Sequence, residues 1–501
     1  MENWGGMFKK SLVYLGSSLL VQILNLFLIP IYTRNFTPGQ FGEFTLVTSF
    51  QSICTALTGL GIFSGYSRFY YESAEPQRLK NTALTFGIFW GVLNILIILA
   101  AAGPLSARVF GSNPHGPEFI GLSAVNALLA SLISIYSADM TMRYQAWRSS
   151  LVTLANLLLA VVLTFCFLTL LHGGIPGAVR AQTVASGTVL GALLLGDIKH
   201  FRPVLDRPGL ARMLAYGLGL LPGQIGGWAL TLLDRYLMKD LVNLSAVGVY
   251  SMGYKIGMLI QPLLLNPFKN IFTPYKFAIY READGRQRLR RIYAYYNFTG
   301  WWVVLGLALF ADPALRILTT RAYLAAFTVV PLIATGYFLW SLAEFYSLGL
   351  HVANRTMLDS LIVIGGALLN IGLNLLFIPR WGMHGAAAAA LGAYLGMSGT
   401  YFWAGQRYYR IGIRFWEPAK YCALATVIYL GYRYAKMSCG GLGPELLWGA
   451  GLWLSYGWAG YWLGLVPAEA TRVLREQLWR GRRHCGQMGH KVLGWLGVSG
   501  K

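Results

Sequence analysis

Apolar runs of about the length a bilayer requires recur along the chain, separated by short segments in which charge, glycine and proline cluster. A spanning helix takes about 20 residues. The windows predict helices near 11–33, 41–66, 81–102, 119–141, 150–171 and 176–196. After a charged connector at 197–212, further helices are predicted near 213–233, 245–271, 292–311, 322–345, 357–378 and 384–404, then 419–435 and 445–465. The expected architecture is an all-α polytopic membrane protein with about 14 transmembrane helices.

Composition agrees with the pattern. Of 501 residues, 55% are hydrophobic and 12% charged, against about 25% charged in soluble domains. Fourteen spans of about 20 residues occupy roughly 280, leaving about 220 for loops and tails, so no sizeable soluble domain fits. The net charge is +22, from 41 Lys and Arg against 19 Asp and Glu. A nucleic-acid binder would be rich in charge overall, so the basicity is read instead as an orientation signal. With the N-terminus placed inside, thirty Lys and Arg fall on inward segments and nine on outward ones. That asymmetry puts both termini in the cytoplasm.

Lys9 and Lys10 precede the first apolar run as they would in a signal peptide. The run is too long and lacks a small-x-small cleavage site, so it reads as an uncleaved first helix. The five cysteines, Cys54, Cys166, Cys422, Cys439 and Cys485, are widely spaced and mostly within apolar runs. Neither a disulfide framework nor a metal site is suggested. The basic tail at 467–501 either lies on an anionic leaflet or is a disordered topology signal.

The chain repeats itself. Gly42, in Phe41-Gly42-Glu43, and Gly248, in Val247-Gly248-Val249, are 206 residues apart; Gly174/Gly382 and Gly177/Gly385 are each 208 apart. Each half then holds six helices, an even number, so both enter the membrane in the same direction. Two lobes related by a pseudo-two-fold axis along the membrane normal are expected: 1–196 and 213–404, with helices 13 and 14 at 405–466. Such a pair suits transport by alternating access better than catalysis.

Several stretches resemble the oligosaccharide flippases, the polysaccharide-transporter branch of the multidrug/oligosaccharidyl-lipid/polysaccharide exporter superfamily. They are Ser11-Leu12-Val13-Tyr14-Leu15-Gly16, Tyr32-Thr33-Arg34-Asn35-Phe36-Thr37-Pro38, Gly65-Tyr66-Ser67-Arg68-Phe69-Tyr70-Tyr71-Glu72, and Asp234-Arg235-Tyr236 before Val247-Gly248-Val249-Tyr250. The resemblance spans roughly residues 7–465. It implies twelve core helices with a peripheral extra pair, a lipid-linked oligosaccharide substrate, no cofactor, and glycan polymerases of the inner cell membrane as partners.

Charges inside a bilayer cost at least about 2.5–3.5 kcal/mol and normally face a polar cavity or a partner. Lys255, flanked by Tyr254 and a turn and a half from Tyr250, reads as a cavity cation or one half of a structural pair. Arg180 either lines the cavity or snorkels to the headgroups. Arg34 and Arg235 end the equivalent helices one and seven, where they would face each other across the outer mouth or anchor at the interface. Arg68 and Arg143 end spans two and four on the cytoplasmic side, where they would either meet an entering anionic headgroup or serve only as topology signals. Gln22, Asn25, Gln224 and Asn266 are candidate polar lining. Among the acids, Glu344 is the ion-coupling candidate, since a carboxylate in low dielectric can carry a proton. Asp139 and Asp359 read as partners of Arg143 and Arg355.

A flippase of this class moves a polyprenyl pyrophosphate bearing sugars. Its tail stays in lipid, but each unpartnered hydroxyl of its head would cost kilocalories in hydrocarbon. A hydrated cavity with cations for pyrophosphate and amphipathic side chains for sugars would meet that need. With the cell interior negative, each negative charge moved outward releases about 2.3 kcal/mol per 100 mV. Three rivals stand beside this reading: a lipid II flippase, a drug/cation antiporter of the same superfamily, and a membrane glycan polymerase or acyltransferase. Embedded cations argue against the antiporter. The short outward connections argue against a polymerase, and His351 and His384, without an evident acidic partner, argue against an acyltransferase. The nucleotide-binding glycine loop is absent.

Overall fold

The computed structural model describes residues 21–465 except Ile23, Ser112 and 437–440. Residues 11–20 and Ile23 of the first predicted span, Cys439, Cys485 and the basic tail lie outside the described residues. Helices dominate, and among the described residues there is no β-strand. In chain order they are α1 (24–35), α2 (Pro38–Gly59), α3 (Ile62–Phe69), α4 (Pro76–Ala100), α5 (Ala102–Phe110), α6 (Gly116–Met142), α7 (Ala146–Phe165) and α8 (Gly174–Asp197). Then follow α9 (Arg207–Leu241), α10 (Leu244–Gly257), α11 (Asn266–Ile279) and α12 (Gly285–Leu318). The last are α13 (Val330–Ser341), α14 (Ala343–Tyr346), α15 (Leu348–Val352), α16 (Thr356–Tyr408), α17 (Pro418–Lys436) and α18 (Leu442–Trp462).

The starts and stops follow from local chemistry. Thr37 caps α2 through a capping box with Gln40, with Pro38 in the first turn where its missing N–H costs nothing. Asn243 caps α10 by accepting from the Ala246 N–H at 2.8 Å. Gly174, which opens α8, and Gly382, which kinks α16, adopt left-handed φ values of 56° and 53°. These two glycines stand 208 residues apart in the repeat, and each turns the chain where a side chain would be strained. The predicted spans near 357–378 and 384–404 are therefore the two arms of α16, folded about Gly382.

Six described helices are by themselves long and apolar enough to cross a membrane, and eight if two bent pairs each count as one span. One pair bends by 46° between α2 and α3, and the other by 44° between the 3₁₀ turn Arg321–Thr328 and α13. The span expected over 245–271 is interrupted. Helix α10 ends at Gly257, a π-turn at Gln261–Leu265 carries Pro262, and α11 begins beyond it. Proline removes a backbone donor and crowds the preceding turn.

The chain divides into two compact units. One holds the described residues of Met1–Ile271 together with Ala311–Tyr409. Within it α6 packs against α2, α4 and α8, while the long α16 packs against α9 and α13. The other unit holds Phe272–Phe310 and the described part of Arg410–Lys501. There Trp302 and Trp453 stack with centroids 4.4 Å apart, and each indole N–H donates to the other's backbone carbonyl, at 2.9 and 3.0 Å. Glu445 accepts from the Tyr432 hydroxyl at 2.9 Å and pairs with Lys436, which closes the α17–α18 hairpin.

Candidate functional site

The repeated glycines are in contact. A Cβ on Gly42 would stand 2.1 Å from the Leu244 carbonyl, and one on Gly248 would stand 1.9 Å from the Pro38 carbonyl. Helices α2 and α10 thus meet backbone to backbone, and this brings the aromatic end of α1 and α2 onto α10. Nearby bonds tie further elements to the entry and body of α2: Tyr323 of the 3₁₀ turn Arg321–Thr328 donates to the Phe36 carbonyl at 2.9 Å, and Tyr236 of α9 to the Leu46 carbonyl at 3.1 Å. At the other end of the α2–α3 pair, Gly61 lies against Gly217, and Gly65 against Met213 of α9.

Between these contacts sits a charged aromatic cluster. Asp234 and Arg235, at 1% and 4% exposure, form an ion pair at 3.1 Å on α9. The Tyr250 hydroxyl donates to Asp234, and the Arg235 guanidinium lies 4.5 Å from the Tyr254 ring centroid. Tyr254 shares a 2.7 Å hydrogen bond with Tyr337, whose ring packs 5.3 Å from that of Tyr394. Lys255 completes the group. Its ammonium lies 5.4 Å from the Tyr32 ring centroid and 5.3 Å from that of Phe41. No described carboxylate pairs with it, and the charge of Arg235 acts on it.

The charge balance of this cluster is decisive. Asp234 and Arg235 cancel, which leaves the positive charge of Lys255 over. Two aromatic faces compensate it by only about 0.5–2 kcal/mol each. The Arg235 Nε is also buried without a hydrogen-bond partner. An unpaired cation and an orphaned cationic donor are suited to an anion arriving from outside.

The structure brings Lys255, Arg235, Tyr250 and Tyr254 together, and gives the other sequence candidates surroundings of their own. Arg34 is exposed, while Arg235 is buried and paired with Asp234. The adjacent carboxylate holds Arg235 in its own helix environment. Arg180, 53% exposed, pairs with Glu118 at 2.6 Å, and Arg68 pairs with Glu72 at half exposure. Asn25 is exposed and folds back to the Val21 carbonyl at 3.0 Å; Asn266 is exposed as well. Gln22 and Gln224 are half-buried. Glu344 is not a lone embedded acid, because Lys269 pairs with it at 2.8 Å. Asp359 pairs with His351 at 2.9 Å rather than with Arg355, since the turn between α15 and α16 brings residues eight apart together. His351 therefore has an acidic partner that the sequence did not reveal.

A second polar cluster lies where α3, α4, α6 and α8 converge. Lys80, 3% exposed, bridges Asp197 at 2.8 Å and Asp139 at 3.6 Å. Asp139 also accepts from Tyr66 at 2.7 Å and from Arg143 at 2.9 Å. Two acids and two cations balance here, as a structural lock should. The Asp139–Arg143 pair is as the sequence suggested, whereas Lys80 and Asp197 gave no sequence signal because their partners come from other helices. Tyr32, Tyr337 and Tyr394 were missed for the same reason.

The profile of a family described as polysaccharide biosynthesis protein matches residues 31–328, more than half of the chain. An uncharacterised membrane protein of Methanocaldococcus jannaschii is 19% identical over 403 residues, covering 73% of this chain and 77% of that protein. The fold is similar to that of the lipid II flippase MurJ in an inward closed conformation, with a TM-score of 0.73, 12% identity, and coverage of 91% of this chain and 99% of that one. It is also similar to an inward-facing multidrug resistance MATE family transporter of the MOP superfamily, with a TM-score of 0.63, 16% identity, and coverage of 80% and 98%. A MOP superfamily transporter from Pyrococcus furiosus matches with a TM-score of 0.58 and 18% identity, over 80% and 94%.

Proposed function

The chain belongs to the polysaccharide biosynthesis protein family, and from that premise we propose that it flips a polyprenyl-pyrophosphate-linked oligosaccharide from the inner to the outer leaflet of the cytoplasmic membrane. In this reading it is a multi-pass membrane transporter rather than an enzyme, which its apolar helices support. Alternating access between two pseudo-symmetric lobes would move the head, while the polyprenyl tail stays in lipid. Both termini face the cytoplasm in this reading, and a glycan polymerase would receive the product for surface polysaccharide assembly.

The observation that carries the proposal is Lys255, a cation held among Tyr32, Phe41 and Arg235 without a carboxylate of its own. A pyrophosphate would supply the missing negative charge, and the tyrosines around it offer faces and hydroxyls to sugars. Arg34, Arg180 and Arg68, all exposed, would serve as approach sites for the headgroup. Glu344 would be the coupling acid, with Lys269 the partner that a proton releases. A drug/cation antiporter would need the opposite charge balance at this cluster.

The test is headgroup protection in proteoliposomes carrying a polyprenyl-pyrophosphate oligosaccharide. Wild type should deliver the head to the opposite leaflet, Lys255→Ala should lose most of that delivery, and Lys255→Arg should retain part. Full delivery by Lys255→Ala would refute the assignment of the site. Lipid II belongs in the same panel, because the fold is shared with a lipid II flippase; its exclusive transport would replace the substrate proposed here.

A further inference from the structure

The two arms of α16 enclose a groove of about 520 Å³ that the transport reading does not use. Its volume falls within the range of about 300–1,000 Å³ typical of ligand sites. It extends from Leu358 to Leu369 on the first arm, about 16 Å at 1.5 Å per residue. Its walls are mainly apolar, with Gly365, Gly366 and Gly396 thinning them. A Cβ on Gly366 would collide with Met397, whereas one on Gly365 would meet nothing within 4 Å. The first glycine lets the arms close up, and the second leaves the trough open. Leu361 and Trp403 on its rims are 50% and 70% exposed, so the trough opens on the outside of the bundle.

One end of this trough is polar in a particular way. Arg407 and Tyr408 close it, next to Trp403, over whose ring the Arg407 guanidinium lies at 5.9 Å. No described acid pairs with Arg407. The nearby Asp359 carboxylate is engaged by His351. Trp and Tyr beside an arginine at a helix end mark the headgroup level of a bilayer. An apolar trough ending in an unneutralised cation at that level complements a molecule with a long hydrocarbon chain and an anionic phosphate.

We propose that this groove is a binding site for an anionic phospholipid, one acyl chain lying between the arms of α16 and the phosphate resting on Arg407. Bound there, the lipid braces the two arms that Gly382 hinges together.

The test uses the full-length protein, delipidated in detergent and titrated with phosphatidylglycerol or phosphatidylcholine, with native mass spectrometry counting retained lipid. Wild type should retain phosphatidylglycerol at least tenfold more strongly than phosphatidylcholine. Gly365→Leu, which fills the trough, and Arg407→Gln, which removes the cation, should each lower that retention at least fivefold. Arg380→Gln, an exposed arginine bonded to its own helix, should leave it unchanged. Thermal unfolding of each variant reports folding, and the two test substitutions act independently, so misfolding of one leaves the other decisive. Wild-type retention in both test variants, or no preference for phosphatidylglycerol, would overturn the site. Displacement of the bound lipid by equimolar polyprenyl phosphate would overturn the occupant named here.

Discussion

Replacing Gly248 by alanine probes the backbone contact between α2 and α10. The added Cβ would lie 1.9 Å from the Pro38 carbonyl, where ordinary contact begins at 3.4 Å. Both atoms belong to backbone, so no side chain can swing away; α2 and α10 must separate by about 1.5 Å in an interior packed like a crystal. Overpacking of this kind costs about 1–3 kcal/mol. Against it stands the gain of about 0.8–1.0 kcal/mol from replacing glycine by alanine inside a helix. The control is Gly372→Ala, whose Cβ meets nothing within 4 Å and which should show the gain alone. Thermal unfolding of the two variants in one detergent should therefore place Gly248→Ala below Gly372→Ala by about 1–3 kcal/mol. Gly42→Ala, 2.1 Å from the Leu244 carbonyl, opens the same gap. The double variant should cost less than the sum of the singles, because one separation relieves both clashes. Equal melting of Gly248→Ala and Gly372→Ala would refute the backbone contact.

Other substitutions read other parts of the fold. Lys80→Met leaves buried Asp139 and half-buried Asp197 without their shared cation and should destabilise by about 3–5 kcal/mol, with Lys80→Met/Asp197→Asn recovering part in the same unfolding assay. Tyr250→Phe removes a hydroxyl donor from buried Asp234 and should cost about 1–3 kcal/mol; an unchanged melting point would show that the bond contributes nothing. Arg180→Ala breaks an exposed pair with Glu118 and should change stability by no more than about 1 kcal/mol. Trp453→Ala removes both the stacked ring and its hydrogen bond to the Trp302 carbonyl, and should cost about 3–5 kcal/mol, read as loss of the α17–α18 hairpin from protease protection.

Hydropathy and glycine spacing determined much of this protein before any coordinates. Membrane spans are visible in sequence because a helix crossing the bilayer must be predominantly apolar over about 20 positions. The glycine spacing is visible because a left-handed turn at Gly174 and Gly382, or a backbone contact at Gly42 and Gly248, tolerates almost no other residue. Such demands are local, so they leave a mark at one position. The broken span was half visible: Pro262 is in the sequence, but the length of the interruption from Gly257 to Asn266 depends on what packs around it.

Partnership is different, because it belongs to pairs of residues that only folding brings together. Lys255 was identifiable as an embedded charge and Arg235 as a helix-end one, yet sequence could not say that Arg235 is buried and neutralised by Asp234 while Lys255 is not. Tyr32, Tyr337 and Tyr394 reach the cluster from three separate helices, with no spacing to betray them. Glu344 finds Lys269, Asp359 finds His351, and Lys80 finds two aspartates from different helices. A charge in low dielectric carries its energetic weight according to what stands within a few ångströms of it. The one-dimensional pattern records that a charge was tolerated; the tertiary structure alone decides whether it is already compensated or left for a ligand.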